Sequence, residues 1–176
     1  MALRSSKLRN EALPWALQTR FRLRLNLHVC IVGVDEDHKI LINIIFRHAT
    51  RAWEVELPRG AREKHETSEQ AAFRELEEET GFRAKNLIKI ATIASDSGIL
   101  SNFMDLYVAT DLTFFKSNRE ACEAIGDCIS VSKQALKQAF VDGFVEIEIR
   151  GNKVKVFCRD SYLASALLIA EAKSIL

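Results

Sequence analysis

Residues 60–82 read GAREKHETSEQAAFRELEEETGF and contain the strongest local signal in the chain. Thr67, followed three residues later by Gln70, forms a capping box, which begins a helix by satisfying two of its free backbone amides. Gly81 suits the left-handed backbone conformation that often ends a helix. The stretch therefore predicts a helix over residues 67–80. Its predicted buried stripe is Ala72, Leu76 and Thr80.

The predicted helix carries a high concentration of negative charge. Residues 60–82 hold seven glutamates against three arginines and lysines. At about 100° per residue, Glu75, Glu78 and Glu79 share one sector of the helix surface. Glu75 has no cation at helical spacing, and only Arg74, four residues before Glu78, offsets the repulsion. One interpretation is a solvated acidic face. The other is a cation site, because clustered carboxylates without soft ligands suit a hard cation such as Mg²⁺.

Apolar residues alternate with polar ones on both sides of this helix, which indicates β-strands. The predicted strands are residues 23–34, 40–46 and 53–57 before the helix, and 87–94 and 103–110 after it. The first two strands form a hairpin around the polar turn at residues 35–39, and Pro58 ends the third. The sequence thus predicts a sheet assembled around the acidic helix.

The last third of the chain predicts two helices and a hairpin. Ser132 is the N-cap of a helix over residues 132–141, with Gly143 just beyond its end. Two alternating runs around Gly151-Asn152 predict a hairpin in which Glu148 lies opposite Lys155. A final helix begins at Asp160 or Ser161 and ends at Ala172. Its apolar positions are Leu163, Leu167, Leu168 and Ala170.

The apolar face of this hairpin needs a partner, because a two-stranded ribbon cannot bury it alone. It either covers the core of the domain or joins a second subunit, and we favour the second subunit because exposed apolar patches mark interfaces. The face comprises Val145, Ile147, Ile149, Val154 and Val156.

The composition is that of an ordinary globular protein. The chain has 176 residues, 48% of them hydrophobic and 28% charged, which suits one domain with a sizeable core. A net charge of +1 argues against a partner as anionic as long nucleic acid or a membrane surface. No apolar run reaches the roughly 20 residues of a membrane-spanning helix. The four cysteines lack metal-ligand spacing, so we expect reduced thiols and a cytoplasmic location.

The order of residues in the acidic stretch resembles the signature of the Nudix hydrolases, G-x5-E-x7-R-E-U-x-E-E-x-G-U. The specified positions are occupied by Gly60, Glu66, Arg74, Glu75, Leu76, Glu78, Glu79, Gly81 and Phe82. The resemblance implies an α/β fold, the Nudix α/β/α sandwich with a mixed β-sheet, here with an added C-terminal β-hairpin. We expect this domain over residues 21–176, after a helical N-terminal extension at residues 1–20.

The resemblance also implies catalytic roles. Glu75, Glu78 and Glu79 would ligate Mg²⁺, or Mn²⁺ in its place, together with the backbone carbonyl of Arg59. Arg74 would orient a glutamate. The metal would neutralise a pyrophosphate and activate a water for attack on phosphorus.

Two further acidic positions have open roles. Glu66 belongs to the family pattern, but bracing of its loop is an equally good interpretation. A general base is expected at Glu120 or Glu123, with Glu123 as the candidate catalytic residue, although a polar loop without that role is equally compatible. A metal-activated water can also act without a separate base.

The segment before the signature resembles the ADP-ribose pyrophosphatases, which implies a substrate. Arginines at Arg47, Arg51 and Arg59 could pair with phosphate, Glu56 belongs to the same segment, and Trp53 would stack on a base or pack in the core. The expected reaction is hydrolysis of ADP-ribose, or another nucleoside diphosphate sugar, to a nucleoside monophosphate and a sugar phosphate.

Several alternatives stay open on the sequence. The loop after the signature lacks the proline usual in that subfamily, so a GDP- or UDP-sugar, a dinucleoside polyphosphate or an RNA 5′ end is also compatible. A non-catalytic nucleotide-sensing module is a further alternative, which the intact set of acids disfavours. Since relatives of this subfamily are commonly homodimers, we expect a homodimer.

Overall fold

The computed structural model describes residues 28–97, 100, 102–115, 125–149 and 151–176. Three predictions lie outside these residues. They are the N-terminal extension at residues 1–20, the beginning of the first strand at 23–27, and the candidate acids Glu120 and Glu123. The other predicted elements fall within the described ranges.

The first half of the chain forms the middle of the sheet. Its strands are β1 (His28–Val34), β2 (Ile40–Arg47), β3 (Ala52–Glu56) and β4 (Arg59–Ala61). The first three agree with the alternating patterns of the sequence. β4 does not follow from the sequence, because three residues are too few to show a period. Its pairing with β1 fixes the beginning of the acidic segment on the sheet.

The acidic helix α1 (Ser68–Thr80) confirms the prediction at both ends. The capping box between Thr67 and Gln70 is present in both directions, and Gly81 ends the helix with a φ of 79°. The predicted stripe is buried, together with Ala71. Local sequence therefore determines where this helix begins, ends and faces.

The second half adds strands and helices on both sides. The elements are β5 (Phe82–Ala94), β6 (Phe103–Phe114), β7 (Ile125–Val131), α2 (Lys133–Asp142), β8 (Phe144–Ile149), β9 (Asn152–Phe157) and α3 (Ser161–Ala172). β5 and β6 are longer than predicted, because they stay paired as far as Phe82 and Phe114. β7, which pairs with β2, was not predicted from the sequence. Ser132 and Asp160 cap their helices as predicted.

The sheet is mixed and lies between helices. Its strand order is β5-β6-β1-β2-β3-β9-β8, with β4 paired to β1 and β7 paired to β2. The pairs β1–β6 and β3–β9 are parallel. Alternate residues of β1 enter two cores: Ile31 packs with α1, and Val32 packs with α2 and α3. This is the predicted α/β/α sandwich.

The C-terminal hairpin exists, but its predicted register is wrong by two residues. Glu148 pairs with Lys153, and Ile149 pairs with Asn152 across a turn that contains Gly151 at a φ of 79°. The tight turn needs the glycine at its left-handed position, which moves the pairing by two. A shift of two keeps every side chain on its face, so glutamate still opposes lysine.

The hairpin packs on the core of its own domain. β9 extends the sheet through β3, Val156 is fully buried, and Val145, Ile147 and Val154 pack against the α2/α3 core. The structure therefore supports the other alternative, in which the hairpin covers the core of its own domain. The homodimer stays a prediction without support from this hairpin.

Helix α3 differs from the prediction at one position. Leu163, Leu167 and Ala170 are buried, whereas Leu168 is 69% exposed. Adjacent helical residues lie about 100° apart, so Leu167 takes the inner face and Leu168 points outward. In the described part of the chain, no helix has the length and apolarity needed to cross a membrane.

Candidate active site

Glu75 lies against the backbone of β4. If Gly60 carried a Cβ, that atom would be 2.1 Å from Cδ of the Glu75 side chain. No side chain fits there without displacing the carboxylate, which explains in physical terms why the signature begins with glycine. The contact anchors α1 on β4 and leaves Glu75 only 9% exposed.

Arg74 is the centre of an ion-pair cluster. Its Nη1 donates to Oε1 of Glu75 and to Oε2 of Glu78, both at 2.8 Å, and its Nε donates to Oε1 of Glu66 at 2.9 Å. Its Nη2 reaches the carbonyl oxygen of Ala61 at 3.0 Å. The hydrogen bonds from these carboxylates, Glu66 foremost, raise the pKa of Arg74 despite partial burial. Arg74 therefore holds two of the three predicted ligands.

This cluster shows how Glu75 and Glu66 are held. Glu75 has no cation at helical spacing, but the long side chain of Arg74, its neighbour in sequence, reaches its carboxylate. Glu66 also accepts a hydrogen bond from the backbone amide of Glu63 at 2.9 Å, and the hydrogen bond from Arg74 lowers its pKa. Glu66 thus braces both the loop and the arginine.

Glu79 is held from the other side. Its Oε2 accepts a hydrogen bond from Nδ2 of Asn43 at 2.8 Å and from the backbone amide of Arg59 at 3.0 Å. Glu79 is 9% exposed, whereas the Glu78 side chain is 52% exposed. A solvated acidic face therefore describes Glu78 but not Glu75 or Glu79.

The oxygen atoms of this site suit a hard cation that keeps part of its own shell of water. Glu75 and Glu79 offer carboxylate oxygens close to the backbone of β4, and Oδ1 of the buried Asn43 finds no hydrogen-bond partner among the described residues. Among those residues, no group of three or more acidic, histidine or cysteine side chains is placed to hold a metal ion, and Arg74 pairs with Glu75 and Glu78. Mg²⁺ suits such an open set, because it usually binds a few carboxylates and completes its shell with water and phosphate.

A second cluster lies beyond the acidic helix. Glu56 is buried and accepts two hydrogen bonds from the Arg47 guanidinium. Nε of Arg47 donates to Oε1 of Glu56 at 2.8 Å, and Nη2 donates to Oε2. Arg59 pairs with Glu56 at 2.5 Å and donates from Nη1 to Oδ2 of Asp160 at 2.8 Å. Burial lowers the pKa of Arg59, but Asp160 and Glu56 outweigh it and raise the pKa. Both arginines are thus engaged by carboxylates of the protein.

These residues line a cleft of about 430 Å³. Arg159, which pairs with Glu54 at 2.7 Å, and Ser161 at the beginning of α3 belong to the same lining. Arg51 and Trp53 are not among the described residues that line it. Arg51 is exposed in the turn before β3, and Trp53 packs against the core and the edge of Phe46, as the core interpretation expects.

A larger cleft, of about 560 Å³, lies at the other end of β1, beside Val34 and Asp111. Its described lining contains no residue of the signature. Volume alone therefore does not identify the site, and we assign it by the clustered acids.

The structure adds two residues that the sequence analysis did not assign to the site. Asn43 is an amide in the otherwise apolar run of residues 40–46, which was the available signal. Asp160 was recognised as a helix cap only. Its contact with Arg59 joins residues about a hundred positions apart, which no local pattern reveals.

The comparisons with known proteins agree with this geometry. A model of the NUDIX domain matches residues 24–115, just over half of the chain. The chain belongs to the Nudix family. It is 36% identical over 95 residues to the ADP-ribose pyrophosphatase of Bacillus subtilis (strain 168), which covers 54% of this chain and 51% of that one.

Other relatives of this Nudix chain carry different names. It is 32% identical over 85 residues to the methanol dehydrogenase activator of Bacillus methanolicus, covering 48% of this chain and 46% of that one. It is 34% identical over 84 residues to the ADP compounds hydrolase NudE of Escherichia coli (strain K12), covering 48% and 45%. The chain thus spans about half the length of the curated relatives it matches.

Solved structures confirm the fold. A crystal structure of an ADP compounds hydrolase superimposes with a TM-score of 0.67 at 18% identity, over 88% of this chain and 79% of that one. A NUDIX hydrolase from Nitrosomonas europaea gives a TM-score of 0.62 at 20% identity, over 85% and 90%. At such low identity these matches establish the architecture alone.

Proposed function

We propose that this chain is a Mg²⁺-dependent pyrophosphatase of nucleoside diphosphate sugars, with ADP-ribose as the favoured substrate. The observation that carries the proposal is the convergence of Glu75 and Glu79 on the backbone of Arg59 and Gly60. The relatives named ADP-ribose pyrophosphatase and ADP compounds hydrolase support the substrate class. The products would be a nucleoside monophosphate and a sugar phosphate.

The metal-binding roles fall to the acidic helix and the strand before it. Glu75, Glu78 and Glu79 would hold Mg²⁺, or Mn²⁺ in its place, with the carbonyl of Arg59. When bound, the metal supplies a Lewis acid that neutralises the pyrophosphate and lowers the pKa of water. Arg74 keeps Glu75 and Glu78 within reach of the site. Glu123 stays a candidate general base.

The cleft beside this site would bind the nucleotide sugar. Arg47 and Arg59 are balanced by Glu56 and Asp160, so the cleft itself offers little net positive charge to a pyrophosphate. This balance supports the dependence on a metal ion. The Arg47 side chain is 40% exposed and can donate to a phosphate while it keeps its contact with Glu56. Roles for Arg51 and Trp53 in substrate binding stay predictions.

A substrate panel tests the proposal. Purified protein is incubated with ADP-ribose, a GDP-sugar, a UDP-sugar, a dinucleoside polyphosphate and a 5′-triphosphorylated RNA, each with Mg²⁺ or with EDTA. Phosphatase then releases phosphate from monophosphate products, and for the RNA the released pyrophosphate is measured. We expect ADP-ribose to give the highest kcat/KM and EDTA to abolish it. A different preferred nucleotide would refute the substrate, and tight binding without hydrolysis would favour the sensing module.

We also propose a cytoplasmic homodimer as the native form, acting on small nucleotides and on neither membranes nor long nucleic acids. Cys30 and Cys158 form no disulfide in the described part of the chain, which supports a reducing compartment. The net charge of +1 supports small substrates.

A further inference from the structure

Asn43 is a polar residue in a fully buried stretch of β2. Its neighbours along the strand, Ile42 and Ile44, belong to the α2/α3 core, whereas Asn43 is 2% exposed and contacts Glu79. Its Oδ1 has no hydrogen-bond partner among the described residues. A buried amide oxygen left unpaired has given up its hydrogen bonds to water without a replacement, which destabilises the fold. An apolar residue would avoid that cost, so the amide needs a reason to be there.

The orientation of the amide follows from its contacts. Oε2 of Glu79 accepts from Nδ2 of Asn43 and from the backbone amide of Arg59. An amide turned the other way would place its oxygen against a carboxylate oxygen, and neither atom can donate. The unpaired atom is therefore the oxygen, a hard acceptor next to a predicted metal ligand.

A water that enters with a cation would complete this arrangement. Mg²⁺ loses its water reluctantly and usually keeps several molecules when carboxylates bind it. Groups that hydrogen-bond to the ligands and waters of a metal set their orientation and strengthen binding. An amide has both functions at once, since it donates through Nδ2 and accepts through Oδ1.

We propose that Asn43 is a positioning residue of the metal site, which holds Glu79 through its N–H and accepts a hydrogen bond from a water of the site through Oδ1. The inference rests on the proposed function, because it presumes that Glu79 binds a divalent cation. It adds a residue of β2, outside the signature, to the machinery of the site.

Binding of Mn²⁺ alone tests the inference without any substrate. Free Mn²⁺ is followed by electron paramagnetic resonance during titration of the wild type, Asn43→Ala and Asn102→Ala. Asn102 is the matched control, because it is a buried asparagine that pairs with Nδ1 of His28 at 3.1 Å. We expect Asn43→Ala to bind Mn²⁺ at least about tenfold more weakly. Asn102→Ala should bind it as the wild type does.

A second variant keeps the test decisive if Asn43→Ala does not fold. Asn43→Asp retains the size and the acceptor oxygen but places a negative charge beside Glu79. Without metal it should melt below the wild type, and Mn²⁺ should raise its melting temperature by more than it raises that of the wild type, because the cation relieves the added repulsion. Circular dichroism checks that each variant is folded.

The outcomes separate this inference from the proposed function. Wild-type affinity in Asn43→Ala, or an Asn43→Asp melting gain no larger than that of the wild type, would overturn the role of Asn43 while leaving the metal site in place. Absence of Mn²⁺ binding by the wild type would instead overturn the metal site, and the inference with it.

Discussion

The carboxylate of Glu75 occupies the space that a Cβ at Gly60 would need, because that Cβ would lie 2.1 Å from Cδ of Glu75. One position is on β4 and the other on α1, so their contact sets the distance between the strand and the acidic helix. Glu75 could not stay buried beside the backbone of β4 if residue 60 were larger. The spacing of the signature thus reflects packing as well as chemistry.

Gly60→Ala should lower Mg²⁺-dependent turnover of ADP-ribose by about a hundredfold, the effect expected when a catalytic group is displaced by roughly 1 Å. Steady-state kinetics measures this change. Gly151→Ala is the control: its Cβ meets nothing within 4 Å, but its φ of 79° is unfavourable for alanine. It should lose stability with turnover unchanged. Wild-type turnover in Gly60→Ala would refute the packing account.

Asp160→Asn should lower the KM for ADP-ribose several-fold, by removing about 1 kcal/mol of repulsion between a carboxylate and the pyrophosphate. Arg59 would keep its partner Glu56, and asparagine still caps α3 by accepting from the amide of Leu163. The melting temperature should fall, because Nδ2 of the asparagine then faces Nη1 of Arg59 and neither atom can accept a hydrogen bond. Ser132→Ala, which removes the cap of α2, should lower stability by about 1 kcal/mol and leave KM unchanged. A raised KM in Asp160→Asn would show that Asp160 aids substrate binding.

The sequence predicted the elements whose signals are local. The capping box at Thr67 and the glycine at Gly81 define α1, because hydrogen bonds within a few residues decide those ends. The strand at residues 125–131 was missed, since its residues alternate poorly and it depends on pairing with β2. The predicted hairpin register was wrong because Gly151 could be either the first or the second residue of the two-residue turn. Only the backbone conformation distinguishes these two positions.

In the candidate site, too, only the features with a local signal were predictable from the sequence. The acids of one helix face were predictable, because 3.6 residues per turn places them together. Asn43, a side-chain partner of Glu79, was not, since it comes from a separate strand that only the tertiary fold brings close. Two of the three arginines that we assigned to phosphate, Arg47 and Arg59, are already paired with Glu56, which no charge count could show.

Asp105 should make the stability of the fold depend on pH in the acidic range. Burial raises the pKa of Asp105, but hydrogen bonds from Lys89, Ser68 and Thr92 outweigh it and lower the pKa below its ordinary value of 3.8. A depressed folded-state pKa stabilises the protein above the unfolded value, and this contribution is lost as the pH falls through the folded value. Urea unfolding across this range measures the free energy of unfolding at each pH. That free energy should fall less steeply with acid in Asp105→Asn than in the wild type. An unchanged slope would exclude Asp105 as a contributor.

Ile147→Lys should destabilise the domain without changing its assembly. Ile147 packs against the α2/α3 core, so a charged side chain there loses apolar burial of roughly 2 kcal/mol. Chemical denaturation measures the loss, and analytical ultracentrifugation measures the assembly. Glu146→Gln, on the exposed face of the same strand, serves as the control, because it places no like charge opposite Lys155. A folded, stable Ile147→Lys that sediments as a smaller species than the wild type would place this face in a subunit interface instead.

Mg²⁺-dependent hydrolysis of ADP-ribose by Glu79→Gln and Glu77→Gln tests the role of the acidic helix most directly. Glutamine at residue 79 keeps the volume but loses the ligand charge, whereas Glu77 pairs with Arg83 on the outer side of the same helix. We predict a fall of at least about a hundredfold in kcat for Glu79→Gln, the scale of a lost electrostatic stabiliser, and no change for Glu77→Gln. Equal turnover in both variants, with Glu79→Gln correctly folded, would contradict the assignment of Glu79 to the metal site.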